Sequence, residues 1–209
     1  RLNLQKIPRE ENILWSFAPR DVSMILSIAG EDPDHVMSTG GSYLHQRIAD
    51  VTTTHLEFPS GLRAHIFVSW LHPYKEQKLV VVGDQTMAVF DDTQSWADKL
   101  HLYSHRIRWG NNLPVTGKGN AERVQVAEAE PLFGECKQFP DVIQPGKNPP
   151  TDGREGLRIL RILCASQASF HSNGARIQTK ETIHPINKAS RGPTIHDTAI
   201  FDHGVSTRD

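Results

Sequence analysis

The feature that most constrains this chain is its middle, where one strand-like segment follows another on short turns. Residues 51–58 are rich in threonine and β-branched side chains, Pro59-Ser60-Gly61 turns the chain, and 62–71 alternates strictly. In that second run Leu62, Ala64, Ile66, Val68 and Trp70 share one face, and Arg63, His65, Phe67 and Ser69 the other. Further strands are expected at 78–82, 86–90, 99–107 and 122–127, with turns at Gly83-Asp84 and Asp91-Asp92. Strands joined by such short connections pair antiparallel, so the segment predicts a large, mostly antiparallel sheet of at least five strands.

The flanks are helical. Val22, Ile25, Leu26 and Ala29 recur at helical spacing over 19–29, and Gly30 supplies a stop. Leu132, Cys136, Phe139 and Ile143 form one apolar stripe, ended by Pro145-Gly146. Thr151-Asp152-Gly153 opens a third helix, with Leu157, Leu160 and Cys164 on one side and Ile159 and Leu163 beside them. Before the first helix, Leu2 and Leu4 alternate with Arg1, Asn3 and Gln5 as in a half-buried strand, and residues 8–12 read as a loop. Helices bracketing strands without βαβα alternation define an α+β domain, with the helices on one face of the sheet and the other face open. After Phe170 the periodicity fades. A domain over 1–170 and a polar linker over 171–193 are expected.

A net charge of -1 and a pI near 6.9 give no global pull towards nucleic acid or a membrane surface. The apolar runs are far short of the ~20 residues a bilayer requires. No secretory leader stands at the front, although the chain opens at Arg1 inside a strand. Cys136 and Cys164 lack metal or disulfide spacing and read as buried free thiols, which fits a cytoplasmic location. His101 and His105 would stand about 13 Å apart along a strand, too far to share one ion, so no metal is expected. No Gly-rich strand-to-helix turn and no P-loop occurs, so no cofactor-binding residue is assigned in this chain.

Several stretches resemble the C-terminal domain of the Gfo/Idh/MocA oxidoreductases. They are residues 9–21 (Arg-Glu-Glu-Asn-Ile-Leu-Trp-Ser-Phe-Ala-Pro-Arg-Asp), 48–54 (Ile-Ala-Asp-Val-Thr-Thr-Thr) and 68–78 (Val-Ser-Trp-Leu-His-Pro-Tyr-Lys-Glu-Gln-Lys). Val81-Val-Gly-Asp, residues 87–92 and residues 151–157 extend the likeness in family order. The resemblance implies a two-domain enzyme whose Rossmann half, absent from this sequence, carries NAD or NADP and a catalytic lysine. The sheet domain would then form the floor of a sugar site and a homo-oligomer interface through its open face. The nearest flavour is a dehydrogenase of UDP-N-acetylhexosamines, so a nucleotide sugar is the implied substrate.

Oxidising a sugar hydroxyl needs a base for its proton, and the family places a histidine where this chain has Arg20. A guanidinium has no lone pair to accept a proton, though it can hold a hydroxyl or a phosphate. The family aspartate four residues earlier is here Ser16. Asp21 remains, either as a site carboxylate or as a first-turn helix residue. Arg1 and Asn3 could meet sugar hydroxyls or simply face water. His72 and Lys75, beside the bend at Pro73, could meet the substrate or be surface residues. Tyr43, His45 and Arg47 lie where the resemblance implies a substrate-side loop. With the expected histidine missing, a non-catalytic assembly module is the competing reading. Residues 194–209 resemble the opening coil of a left-handed β-helix acyltransferase, with Ala199 and Val205 six apart. That would imply a sugar N-acetyltransferase fusion, but one coil cannot bury a core.

Overall fold

The structure is a computed structural model that describes residues 1–3, 11–110, 113–143, 149 and 151–180. Its first helix, α1 (Ile13–Ala29), starts well before residue 19, and the reason is its cap. Asn12 is extended, and its side chain accepts the Trp15 N–H at 3.2 Å, satisfying a donor that every helix start leaves free. Pro19 reads as a boundary in sequence yet lies inside the helix. It withdraws one N–H from the ladder there. Gly30 ends the helix at φ 69, with its N–H on the Leu26 carbonyl at 3.0 Å.

The strands fall into two antiparallel sheets of four. β1 (His35–Gly41), β2 (Val51–Glu57), β3 (Arg63–Ser69) and β8 (Ile177–Gln178) take the order β3-β2-β1-β8. β4 (Lys78–Val82), β5 (Thr86–Asp91), β6 (Leu100–Gly110) and β7 (Leu113–Val124) take the order β4-β5-β6-β7. The N-terminal residues stitch the two together. Leu2 and Glu76 exchange backbone bonds at 2.9 and 2.8 Å, while Asn3 donates to the Ser69 carbonyl and Ser69 to that of Arg1, both at 3.1 Å. The expected large sheet is therefore two ladders meeting along residues 1–3. Leu4 and Gln5 lie outside the described residues.

The core sits under the first sheet alone. Leu14, Ala18, Val22 and Leu26 of α1 pack with Val36, Leu56, Ile66, Val68 and Trp70 and with Ile162, Leu163 and Ala165 of α3 (Gly153–His171). Ile66, Val68 and Trp70 are on the side that the alternation predicts, whereas Leu62 is exposed and Ser69 buried, because residues 1–3 cover the latter. From residue 71 to 161 only Asp91 and Lys99 are buried among the described side chains. Lys99 is held by Asp92 at 2.6 Å and lies over the Trp96 ring at 4.2 Å.

Two expected helix faces are corrected. In α2 (Pro131–Ile143), Leu132, Phe139 and Ile143 are 63%, 70% and 70% exposed, so the stripe packs on nothing within the described chain. In α3 the buried residues are Ile162, Leu163, Ala165, Ser166 and Ser169, not Leu157, Leu160 and Cys164. Small residues let the helix approach β1 closely. The Ser169 hydroxyl accepts the Ser38 N–H at 2.8 Å and donates to the Ala175 carbonyl at 2.6 Å. Both Cys136 and Cys164 are consequently exposed free thiols. Residues that sequence periodicity assigns to a linker also join the fold. After a turn with Asn173 at φ 54 and Gly174 at φ 83, β8 pairs with β1. Residues 181–193 of that linker and the tail at 194–209 lie outside the described residues.

Candidate functional site

Helix α1 carries the central candidates. Ser16 and Arg20 stand one turn apart on its exposed side, and Arg20 pairs with no carboxylate among the described residues. Asp21 lies in the middle of the helix, so a first-turn or capping role is excluded by the earlier start. Its carboxylate accepts the Arg1 Nε–H at 2.8 Å, in a pair whose side chains are only 18% and 15% exposed. This ion pair clamps the N-terminal strand against α1. Asp21 thereby holds Arg1 through its Nε–H.

Asn3 enters through its backbone, donating to Ser69. His72 and Lys75 lie on the β3–β4 connection, which the Leu2–Glu76 bonds hold against the same strand. The His72 ring stands edge-on to Phe67 and to Tyr74, at 6.0 and 5.9 Å between centroids, and its Nδ1 is buried without a partner. Lys75 is exposed. The fold thus brings Arg1, Asn3 and Asp21 together and sets His72 and Lys75 on an adjoining connection. Ser16 and Arg20 occupy an exposed stripe beside Asp21.

Sequence reasoning missed a polar junction one helical face away. The Gln167 side-chain oxygen accepts the Asn12 amide at 2.8 Å and the Trp15 indole N–H at 3.0 Å. Loop 42–48 faces this junction. It is anchored by buried Asp50, which accepts the Tyr43 and Leu44 N–H groups at 2.6 and 2.8 Å and the Trp70 indole N–H at 2.6 Å. The one available signal was Asn12 itself, a cap residue three positions before Trp15.

A nicotinamide dinucleotide would need a glycine-rich strand-to-helix turn to take its pyrophosphate. The chain between β7 and α2 reads Gln-Val-Ala-Glu-Ala-Glu, and the ladders between named strands are antiparallel. The residues described here do not fit that group. Nor do three or more His, Cys, Asp or Glu side chains gather to hold a metal ion among the described residues. No described helix is long and apolar enough to cross a membrane.

Antiparallel sheets with helices against one of them define an α+β domain. Residues 5–89 match the family profile described as GFO/IDH/MocA C-terminal domain. No curated protein matches the chain significantly. Among solved structures it is similar to UDP-N-acetylglucosamine 3-dehydrogenase GnnA from Acidithiobacillus ferrooxidans. That match has 20% identity and a TM-score of 0.70, covering 83% of this chain and 53% of the other. It is similar also to an aldose-aldose oxidoreductase from Caulobacter crescentus complexed with glycerol (14%, TM-score 0.67, 85% and 53% covered). A third is the WlbA dehydrogenase from Bordetella pertussis in complex with NADH and UDP-GlcNAcA (19%, TM-score 0.55, 80% and 45% covered). The chain spans about half the length of these proteins.

Proposed function

We propose that this chain is the substrate-facing C-terminal part of an NAD(P)-dependent dehydrogenase acting on nucleotide sugars. It would supply substrate and subunit contacts, while another part of such an enzyme holds the dinucleotide. The observation that carries this reading is the fold shared with a UDP-N-acetylglucosamine 3-dehydrogenase over most of the present chain. Arg1, Asn3, Ser16, Arg20, His72 and Lys75 are the groups offered to substrate, with Asp21 holding Arg1 in place. Arg20 can orient a hydroxyl or an anionic oxygen but cannot take a proton from it.

That last fact also favours a second reading, a sheet domain kept for assembly and not for chemistry. One experiment separates the two. Fused behind a dinucleotide-binding domain of its own kind, the chain with Arg20 should turn over weakly, and Arg20→His should raise the rate about 10²–10⁴-fold. The histidine form should also gain a pH limb near neutrality that the arginine form lacks. No turnover from either form favours the assembly reading. Full turnover with Arg20, unchanged by the histidine, removes position 20 from the role of base.

A further inference from the structure

Three segments remote in sequence, the start of α1, the end of α3 and loop 42–48, enclose a cleft of about 570 Å³. That is the size of a small-molecule site. Its polar lining is Glu11, Asn12, Trp15, Arg47, Gln167 and His171. The floor is fixed before any ligand arrives. Gln167 Oε1 takes two donors, from Asn12 and Trp15, so the amide nitrogen must be its other pole. That nitrogen lies 2.5 Å from His171 Nε2. An amide NH₂ can only donate, so Nε2 accepts and the imidazole proton is assigned to Nδ1.

The opposite wall is equally constrained. Asp50 pins the loop at Tyr43 and Leu44, Ile48 donates to the His45 carbonyl at 3.3 Å, and Ile13 donates to that of Ala49 at 3.0 Å. The last bond fastens the loop to the first residue of α1. Arg47 stands on this held loop, exposed and with no carboxylate partner among the described residues. Its planar fork of donors is unspent on any carboxylate among the described residues. A fixed wall and an unpaired guanidinium match a phosphate group, which accepts two parallel N–H bonds.

We infer that this cleft binds the phosphate-bearing end of a nucleoside diphosphate, with Arg47 as its anchoring cation. The inference rests on the nucleotide-sugar reading given above and assigns a position to the substrate's second half. Asn12, Ser16 and Arg20 follow one another by four residues on one side of α1, a run of about 12 Å along the axis. A hexose beside Arg20 could therefore extend its diphosphate along this stripe towards Arg47. Glu11 at the rim can accept hydroxyl donors of the ribose.

Calorimetric titration of this chain with UDP, pyrophosphate, N-acetylglucosamine and UDP-N-acetylglucosamine tests the inference. UDP should bind and pyrophosphate should compete with it, whereas N-acetylglucosamine alone should not. Arg47→Ala should weaken UDP at least tenfold, Arg47→Lys should restore only part of the loss, and Arg123→Ala, in the second sheet beside Asp98, should leave UDP affinity unchanged. Unchanged far-ultraviolet dichroism would establish that Arg47→Ala is folded. Absence of UDP binding at millimolar concentration overturns the inference, as does equal affinity in Arg47→Ala. The two readings fail separately. UDP held through Arg47 with no turnover in the Arg20→His fusion leaves the cleft standing and the dehydrogenase reading fallen. Turnover in that fusion with UDP indifferent to Arg47 does the reverse.

Discussion

Asp50 is a fully buried carboxylate that three donors saturate, two of them backbone N–H groups of a loop with little freedom to move. Burial of an ionised carboxylate is tolerable only under such saturation. Asp50→Ala should therefore cost about 3 kcal/mol or more, because it strands all three donors at once. Trp70→Phe keeps most of the ring packing and removes one donor, so its cost should be about 1–2 kcal/mol. Urea unfolding of the two variants checks the order, and a smaller loss in Asp50→Ala than in Trp70→Phe would refute the shared-acceptor argument. Gly40 is a neighbouring constraint of a steric kind. A Cβ there would stand 2.1 Å from the Val51 carbonyl oxygen, so Gly40→Ala must part β1 from β2 at the root of the same loop.

Among the elements, β8 is the short one, and a side-chain pair secures it. Glu57 on β2 accepts Nε and a terminal N–H of Arg176, at 2.9 and 2.7 Å. The Arg176 hydrogen bond, opposed by desolvation and aided by the charges of Arg176, Arg63 and His35, holds the Glu57 carboxyl below its ordinary 4.5. A carboxyl depressed on folding adds stability that is fully present above the unfolded value and fades as pH falls through the folded one. Amide exchange in β8 should accordingly quicken as pH drops below about 4.5, relative to the exchange of β2, and Glu57→Gln should abolish that dependence. An identical profile in the glutamine variant would show that the pair does not hold the strand. Such pairing was invisible in the sequence, because residues 176–178 are too few to display alternation. The strands 51–58, 62–71, 78–82 and 86–90 were legible from their period. β1 was not, since Ser38, Thr39 and two glycines interrupt its apolar pattern. The start of α1 was hidden by Pro19, and with it the true place of Asp21. Ser16 and Arg20 were nominated through the resemblance, and the structure sets them on an exposed helical stripe. What was illegible is the convergence of distant segments, as where Gln167 meets Trp15.

At the scale of the molecule the two sheets are unequal. The first has a core, while the second shows no contact of note with α1, α2 or α3 and no buried apolar side chain among the described residues. An antiparallel sheet with both faces wet is marginal, and apolar residues gathered on one of its faces mark a surface that something covers. The register sets Val80 opposite Val89, Val82 opposite Met87 and Met87 opposite Tyr103, so these residues share a face. Val80, Val82 and Tyr103 on it are 50%, 69% and 36% exposed. On the proposed function, which gives this chain subunit contacts, a second copy would cover this face. Calorimetry should meanwhile find no micromolar NAD or NADP binding, as the dinucleotide has no glycine-rich turn to occupy here, and micromolar affinity that survives Arg47→Ala would overturn this expectation. The subunit contact is tested by sedimentation equilibrium. The native chain should associate at micromolar concentration, and Val80→Lys with Val82→Lys should return it to a monomer by placing desolvated charge in the contact. The first sheet and its core stand apart from these positions, so the far-ultraviolet spectrum should keep its helical component. A native chain that stays monomeric at high concentration, or a double variant that associates as tightly as the native form, removes this face from the assembly.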